Sequence, residues 1–325
     1  MPALDAMTES IVGASAAHAA MLEQLRRIAC SEAPTLIEGE TGSGKELAAR
    51  AIHYGGPRRA GPFVPINCGA IPDALVEAEL FGHERGAFTD ARHARRGLVA
   101  EACGGSLFLD EVDALSPKAQ VTLLRFLQDQ RYRPVGTPRE LRGDVRLLAA
   151  ANCPLDALCE RGEFRVDLLY RLKILHLVMP PLRERAGDAQ LLAEHFIARF
   201  AALYRAAPKT LHANTRQWLA RHAWPGNVRE LESWVHRQFL MTPGDVIVHD
   251  GDSPAAPASR EPTDLECFAR AKAEAVRLFE RDYLSRALQL GEGCVTRAAK
   301  LAGKERRAFG KLLKKHGIDR RALPD

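Results

Sequence analysis

Between Gly39 and Glu46 the chain reads GETGSGKE, a G-x-x-x-x-G-K spacing that follows an apolar run and precedes the helical pattern ELAARAIH. Glycines at that spacing let backbone N–H groups turn inward around phosphate oxygens, and a lysine at its end neutralises the β and γ oxygens. Position 46 is Glu rather than the Ser or Thr that usually meets Mg2+. Further along, SLFLDE ends an apolar run in Asp110 and Glu111. A buried strand that delivers two carboxylates at its carboxyl end suits Mg2+ binding by Asp110 and water polarisation by Glu111. DVRLLAAAN sets Asn152 at the end of another such run, where a carboxamide orients water or a γ-phosphate.

These groups converge only if strands carry them to one edge. APTLIEG, PFVPINC, SLFLDEV and DVRLLAAAN have the length and composition of buried strands and alternate with helical patterns, which predicts a parallel α/β sheet. HAAMLEQLRRIAC has helical spacing at Met21, Leu22, Leu25 and Ile28. Ser116–Pro117 reads as an N-cap and first-turn proline for a helix holding Leu123, Leu124 and Leu127. After Pro180–Pro181 the strands stop and 187–241 reads as helices. The segment 242–264, with four prolines, reads as a linker. A long amphipathic helix over 265–290 and two shorter helices complete the chain, which has no internal repeat.

The 325 residues are 46% hydrophobic and 27% charged, enough for two or three domains with a substantial core. No apolar run approaches the ~18 residues of a membrane span, and MPALDAMTES lacks the features of a secretory signal. Seven cysteines without CxxC pairing fit reduced thiols in the cytoplasm. Charge is unevenly spread: residues 260–325 hold 16 Lys and Arg against 10 Asp and Glu, while the remainder holds 30 against 31. A near-neutral body with a basic end suggests nucleic acid as a partner of that end. VTRAAKLAG followed by KERRAFGKLLKKHGI has the pattern of a helix-turn-helix, with Ala298, Leu301 and Ala302 on one apolar face and Phe309, Leu312 and Leu313 on the other. Gly303 permits the turn, and Arg306, Arg307, Lys311 and Lys314 are the candidate DNA-binding residues. Gly310 weakens the second helix by roughly 1 kcal/mol.

GETGSGKE, INCGAIP, ELFGHERGAFTDA, GGSLFLDEVDAL, GEFRVDLLYRL, PPLRER and WPGNVREL, in this order over about residues 10–240, resemble the bacterial enhancer-binding proteins, the sigma-54-dependent transcriptional activators of the AAA+ ATPase class. The C-terminal pattern resembles their Fis-type domain. The resemblance implies an α/β AAA+ P-loop core over 11–180 after a short extension 1–10. It implies an α-helical lid over 181–241, the linker 242–264 and an all-α helix-turn-helix domain over 265–325.

It also implies ATP and Mg2+ as cofactors, with Gly39, Glu40, Thr41, Gly42, Ser43, Gly44, Lys45, Glu46, Asp110, Asn152 and Arg229 at the nucleotide and Asp110 on the metal. Glu111 becomes the catalytic carboxylate and Asn67 the switch that restrains it. Arg165 and Arg171 become fingers that reach a neighbouring subunit's ATP in a ring, commonly a hexamer, or in a hetero-oligomer with a paralogue. Gly86-Ala87-Phe88-Thr89-Asp90-Ala91 resembles the loop that touches sigma-54, GAFTGA in most relatives, with Gly86, Phe88 and Thr89 as contacts. Sigma-54 RNA polymerase and enhancer DNA are then the expected partners. The resemblance begins at Ile11, the type without an N-terminal sensory domain, so control is expected from a regulatory protein in trans, heteromeric assembly or expression level. Asp90 keeps open a regulator that acts with the housekeeping polymerase; a different AAA+ motor fits the loop and helix-turn-helix less well.

Overall fold

A computed structural model describes residues 11–87, 93–249, 283–284, 287–288, 294–304 and 306–315. The chain divides into two compact units, Met1–Gly251 and Asp252–Asp325.

The first unit is built on five parallel strands: β1 (Thr35–Glu38), β2 (Phe63–Asn67), β3 (Ser106–Asp110), β4 (Arg146–Ala151) and β5 (Leu175–Val178). Their order is β2-β3-β4-β1-β5. β1 and β4 are buried along their whole length, which explains the near-continuous apolar runs in sequence. The first four strands fall where the sequence predicts them. The fifth is an addition: LHLV is a short edge strand with a histidine inside it, too weak a signal to stand alone.

Helices cover both faces. On one lie α1 (Ala16–Ala29) and α2 (Lys45–Tyr54), with Met21, Leu25, Ile28, Ala48 and Ile52 packed against Ile37, Phe108 and Leu148. Ser15 caps α1 by accepting from the His18 N–H, and the predicted apolar stripe is the buried one. On the other lie α3 (Pro117–Asp129) and α4 (Val166–Leu172), whose Leu123, Leu124, Leu168, Leu169 and Leu172 share a core with Leu107, Leu109 and Leu147. Each such leucine contributes about 1.5–3 kcal/mol by leaving water. Ser116 caps α3 with Pro117 in the first turn, as its sequence requires.

The strand order sets the site. β3, β4 and β1 are adjacent, so the loops leaving their carboxyl ends meet over one edge, beside the strand whose neighbours arrive later in the chain. Over this edge stand α5 (Asp188–Tyr204), α6 (Ala213–Arg221) and α7 (Asn227–Met241), around Phe196, Phe200, Leu219, Trp224, Leu231 and Phe239. The helical segment is not free of strand: Thr210–Leu211 pairs in parallel with Val246–Ile247.

In the second unit α8 (Val295–Leu301) and α9 (Arg306–Lys315) enclose Leu284, Leu288, Ala298, Ala299, Phe309 and Leu313. Gly303 takes a φ of 60° in the turn between them. Leu301, expected on the inner face, is 61% exposed, and Ala299 is buried in its stead. Most of the linker and long-helix segments expected over 242–290 lie outside the described residues. Among the described residues no helix is long and apolar enough to cross a membrane.

Candidate nucleotide-binding site

The loop from β1 to α2 is held by backbone geometry. Gly42 and Gly44 have φ of 77° and 99°, where a side chain is strained. A Cβ on Gly42 would also lie 2.3 Å from the Gly226 carbonyl oxygen. Gly44 brings the chain into α2 without a side-chain cap, so the first N–H groups of that helix keep no side-chain partner there. Lys45 is buried, and its Nζ donates to the Gly39 carbonyl at 2.7 Å, the Glu40 carbonyl at 3.1 Å and Asn152 Oδ1 at 2.8 Å. Burial pulls the Lys45 pKa below its ordinary value, and Asp110 and Asp113 oppose that pull. Thr41 Oγ1 also donates to Asn152 Oδ1, at 3.2 Å. The Ser43 hydroxyl is buried with no protein partner.

Asp110 and Glu111 end β3 as expected. Burial pushes the Asp110 carboxyl up, while the Glu111 N–H, donating to its Oδ1 at 3.0 Å, and nearby Lys45 pull it down. Glu111 has a φ of 56°, a left-handed backbone that costs a non-glycine residue about 1–3 kcal/mol and clusters at functional sites. Asp113 accepts from the Asn152 N–H at 3.1 Å, tying the ends of β3 and β4 together. Cys68, in the same corner, is pushed up to about 12 by burial and by Asp110, Asp113 and Glu111, so its thiol is not a nucleophile here.

Lys45, Asp110, Glu111, Asn152 and Arg229 line one cavity of about 230 Å³. A loop rich in backbone donors, a lysine that now satisfies itself on its own carbonyls, and an orphan serine hydroxyl fit a phosphate chain. Among the described residues no group of three or more His, Cys, Asp or Glu stands ready to hold a metal alone. Mg2+ needs less: it keeps several waters and takes one or two carboxylates plus substrate phosphates. Asp110 fits that donor set. Glu46, read above as a departure, is exposed and paired with Arg50 at 2.8 Å.

Asn67 caps its own turn, with Oδ1 accepting from the Ala70 N–H at 3.1 Å. It shares a corner with the carboxylates, since a Cβ on Gly69 would lie 2.9 Å from Glu111 Oε2 and 3.3 Å from Asn67 Oδ1. Arg165 and Arg171 lie outside the cavity. Arg165 is exposed and forms a two-pronged pair with Asp167, at 3.0 and 2.7 Å. Arg171 is exposed near the end of α4. Gly86, also exposed, has a φ of 82° with open space around it. Phe88, Thr89 and Asp90 lie outside the described residues. Arg306, Arg307 and Lys311 are exposed on α9; the side chain of Lys314 lies outside the described ones.

Three ties went unread in the sequence. Asn227, the first residue of α7, has a φ of 51° and is fully buried. Its Oδ1 accepts from the Leu182 N–H at 2.8 Å, while Nδ2 donates to Glu40 Oε2 and the Thr41 carbonyl, both at 3.1 Å. Arg183 donates twice to Glu40, at 2.8 and 2.7 Å, and these bonds, with that from Asn227, hold the Glu40 carboxyl below its usual range. The Val228 N–H donates to the Gly42 carbonyl at 3.1 Å. The helical layer is thus bolted to the glycine loop through Arg183 of PPLRER and through Asn227 and Val228 of WPGNVREL.

Residues 11–178 match the Sigma-54 interaction domain family, and residues 183–258 match the AAA+ ATPase lid domain. Transcriptional regulatory protein GlrR of Escherichia coli K12 is 41% identical over 312 residues, 96% of this chain and 69% of that protein. Regulatory protein AtoC of the same organism is 40% identical over 303 residues, 90% of this chain and 64% of that one. The crystal structure of NtrX from Brucella abortus in complex with ADP is 32% identical with a TM-score of 0.69, over 94% of this chain and 69% of that chain. The chain spans about two-thirds of the length of these relatives.

Sheet order, glycine loop, carboxylate pair and helical lid define a P-loop nucleotide-binding fold of the AAA+ ATPase class. Within that class the chain belongs to the sigma-54-dependent transcriptional regulators that carry the Sigma-54 interaction domain.

Proposed function

We propose that this chain is an ATP-driven transcription activator that binds enhancer DNA and remodels sigma-54 RNA polymerase into the open complex. The observation that carries the reading is a division of labour. Lys45, Asp110, Glu111, Asn152 and Arg229 share one cavity, whereas Arg165 and Arg171 stand exposed outside it. A site that keeps its own phosphate-neutralising arginine fingers elsewhere is completed by a neighbouring subunit, so the working form is a ring, a hexamer of this chain or a hetero-oligomer.

In this reading Lys45, Arg229 and the glycine loop from Gly39 to Glu46 bind ATP. Asp110 holds Mg2+, which supplies charge neutralisation on the phosphates. Glu111 orients and deprotonates the attacking water, and Asn67 restrains Glu111 until Asn152 meets the γ-phosphate. Arg165 and Arg171 stabilise the transferring phosphoryl group across the interface. The ATPase part is 11–180, the lid 181–241, and the linker 242–264 leads to a DNA-binding domain over 265–325. Arg306, Arg307, Lys311 and Lys314 meet DNA there, and Gly86, Phe88 and Thr89 meet sigma-54. The protein works in the cytoplasm.

Asp90 supports a second reading, a regulator that acts with the housekeeping polymerase. Open-complex formation with purified polymerase separates the two. The expected result is opening with sigma-54 holoenzyme only when ATP is hydrolysed, lost in Thr89→Ala with ATPase intact and kept or raised in Asp90→Gly. An inactive parent beside an equally inactive Asp90→Gly, with activity on the housekeeping holoenzyme, overturns the sigma-54 reading.

A further inference from the structure

Gln120 lies one turn into α3 and is 1% exposed. A fully buried carboxamide is stable only when its polar atoms are paired. Its Nε2 donates to two carbonyls, Leu115 and Glu163, both at 3.0 Å. Its Oε1 accepts from the Arg165 N–H at 2.9 Å. Two carbonyls demand the NH2 end and one N–H demands the oxygen, so the network fixes the orientation of the amide.

The partners give these bonds meaning. Leu115 closes the turn that begins at Glu111, through N–H bonds from Ala114 to the Glu111 carbonyl and from Leu115 to the Val112 carbonyl. Asp113, in the same turn, holds the Asn152 N–H, and Asn152 meets Lys45. On the far side, Glu163 and Arg165 bracket the entry to α4. Leu168 and Leu169 pin that helix into the core, and Asp167 holds the Arg165 guanidinium by both prongs. One buried side chain therefore bridges the turn that carries a subunit's own carboxylate to the backbone of its outward-facing arginine. A shift of the Leu115 carbonyl is thereby passed to the amide and, through it, to the Arg165 N–H.

We propose that Gln120 is a positioning residue for Arg165, setting the pose in which each subunit presents that guanidinium to its neighbour and tying the pose to the turn that carries Glu111. This rests on the reading of Arg165 as a group that acts across a subunit interface. Gln120 touches neither substrate nor metal in this role. Its loss harms the neighbour's site, while the subunit's own site stays competent.

Mixed rings test that directly. Gln120→Leu fills most of the buried space with an apolar side chain one bond shorter and removes all three bonds. Turnover is expected to fall on the order of 10- to 100-fold, the effect of misplacing a catalytic group by about an ångström. KM for ATP and binding of a fluorescent ATP analogue are unchanged. Gln120→Glu, which keeps the acceptor for the Arg165 N–H but sets an anion against two carbonyls, behaves in the same direction and serves if the leucine variant does not fold. Either variant is then mixed in equal amounts with Glu111→Gln, whose own sites are dead but whose arginines are intact. Turnover per Gln120 variant subunit is expected to return to roughly half the parent value, because one neighbour in two is a competent donor in a random ring with head-to-tail interfaces.

Mixing with Arg165→Ala instead gives no recovery. The control pairs Arg165→Ala with Glu111→Gln. Recovery in the control but not with the Gln120 variants overturns this proposal alone. No recovery in the control overturns the trans-acting reading of Arg165, and the proposal falls with it.

Discussion

The glycine loop and the arginine face of the same unit meet opposite fates. Lys45 finds three acceptors, Glu40 is clasped by Arg183 and Asn227, and Gly42 is locked to Val228. Across the fold, the Arg165 guanidinium pairs with its near neighbour Asp167, and Val166, Tyr170 and Ile174 are 48%, 74% and 56% exposed. The uncovered apolar side chains cost the isolated subunit solubility. Surface pairs such as Arg165–Asp167 are worth little in water. On the proposed reading, one face is finished as a binder within a single chain, whereas the other acquires its value against a neighbouring subunit.

The sharpest way to break this comparison is to separate affinity from turnover. Arg171→Ala or Arg165→Ala is expected to lower ATP turnover by about 10³-fold or more, the usual weight of a cationic finger on a transferring phosphoryl group. Nucleotide affinity, measured by titration with a fluorescent analogue, should hardly change. Glu111→Gln should likewise retain binding and lose turnover, by roughly 10²-fold or more. Parent-like turnover in any of the three removes that residue from the mechanism. A matching loss of affinity in the arginine variants would mean that the two faces are one site.

A middle-sized effect is expected on the finished face. Asn227→Ala deletes the amide that joins Leu182, Glu40 and Thr41 and leaves a buried N–H and a carbonyl unpaired. At about 1–3 kcal/mol for each unsatisfied buried group, unfolding stability should drop by roughly 2–4 kcal/mol. A rise in KM for ATP should accompany it, because the glycine loop loses its lid-side support. Chemical denaturation and steady-state kinetics on the same preparation check both. Unchanged stability would show that Arg183 and Val228 suffice to hold the loop.

The sequence disclosed these two faces unequally. The glycine loop, the carboxylates after β3 and Asn152 after β4 were legible because each ends a buried apolar run, so strand and ligand announce each other. Arg165 and Arg171 were visible only through resemblance, since exposed arginines on a short helix carry no periodic signal of their own. The role of Asn227 was not legible because it depends on a left-handed backbone after Pro225-Gly226, which composition suggests but does not assign to a residue. Gln120 gave no sign at all: a glutamine inside a helical pattern has the statistics of a surface residue until its three partners arrive from distant segments. Leu301 fits an amphipathic stripe by spacing, yet the turn at Gly303 directs the inner face to Ala298 and Ala299.

The smallest expected effect compares two Arg–Asp pairs of almost the same spacing. Arg165–Asp167 is half exposed, whereas Arg185 and Asp188 are buried, with side chains 3% and 1% exposed. Burial alone would raise the Asp188 carboxyl. The Ala14 N–H, Arg185 and the Ser15 hydroxyl outweigh it and leave Asp188 below its ordinary value. A carboxyl lowered on folding contributes stability that is fully present above the unfolded value, near pH 4. That contribution is lost as pH falls through this value toward the lower folded one. Asp188→Asn cannot titrate, so the gap in Tm between parent and variant should narrow below about pH 4. The narrowing should amount to about 2–4 °C, the response of a domain of this size to about 1 kcal/mol. His18 is held below its ordinary value by burial and by Arg185 and is held up in part by Asp188. Through it the variant loses more stability as pH falls through about 6.5, which first widens the gap. Asp167→Asn should show a smaller narrowing, because Arg165 also holds the Asp167 carboxyl low but does so in contact with solvent. A gap that does not narrow below about pH 4 for Asp188→Asn, or one that narrows equally for Asp167→Asn, would mean that burial does not distinguish the two pairs.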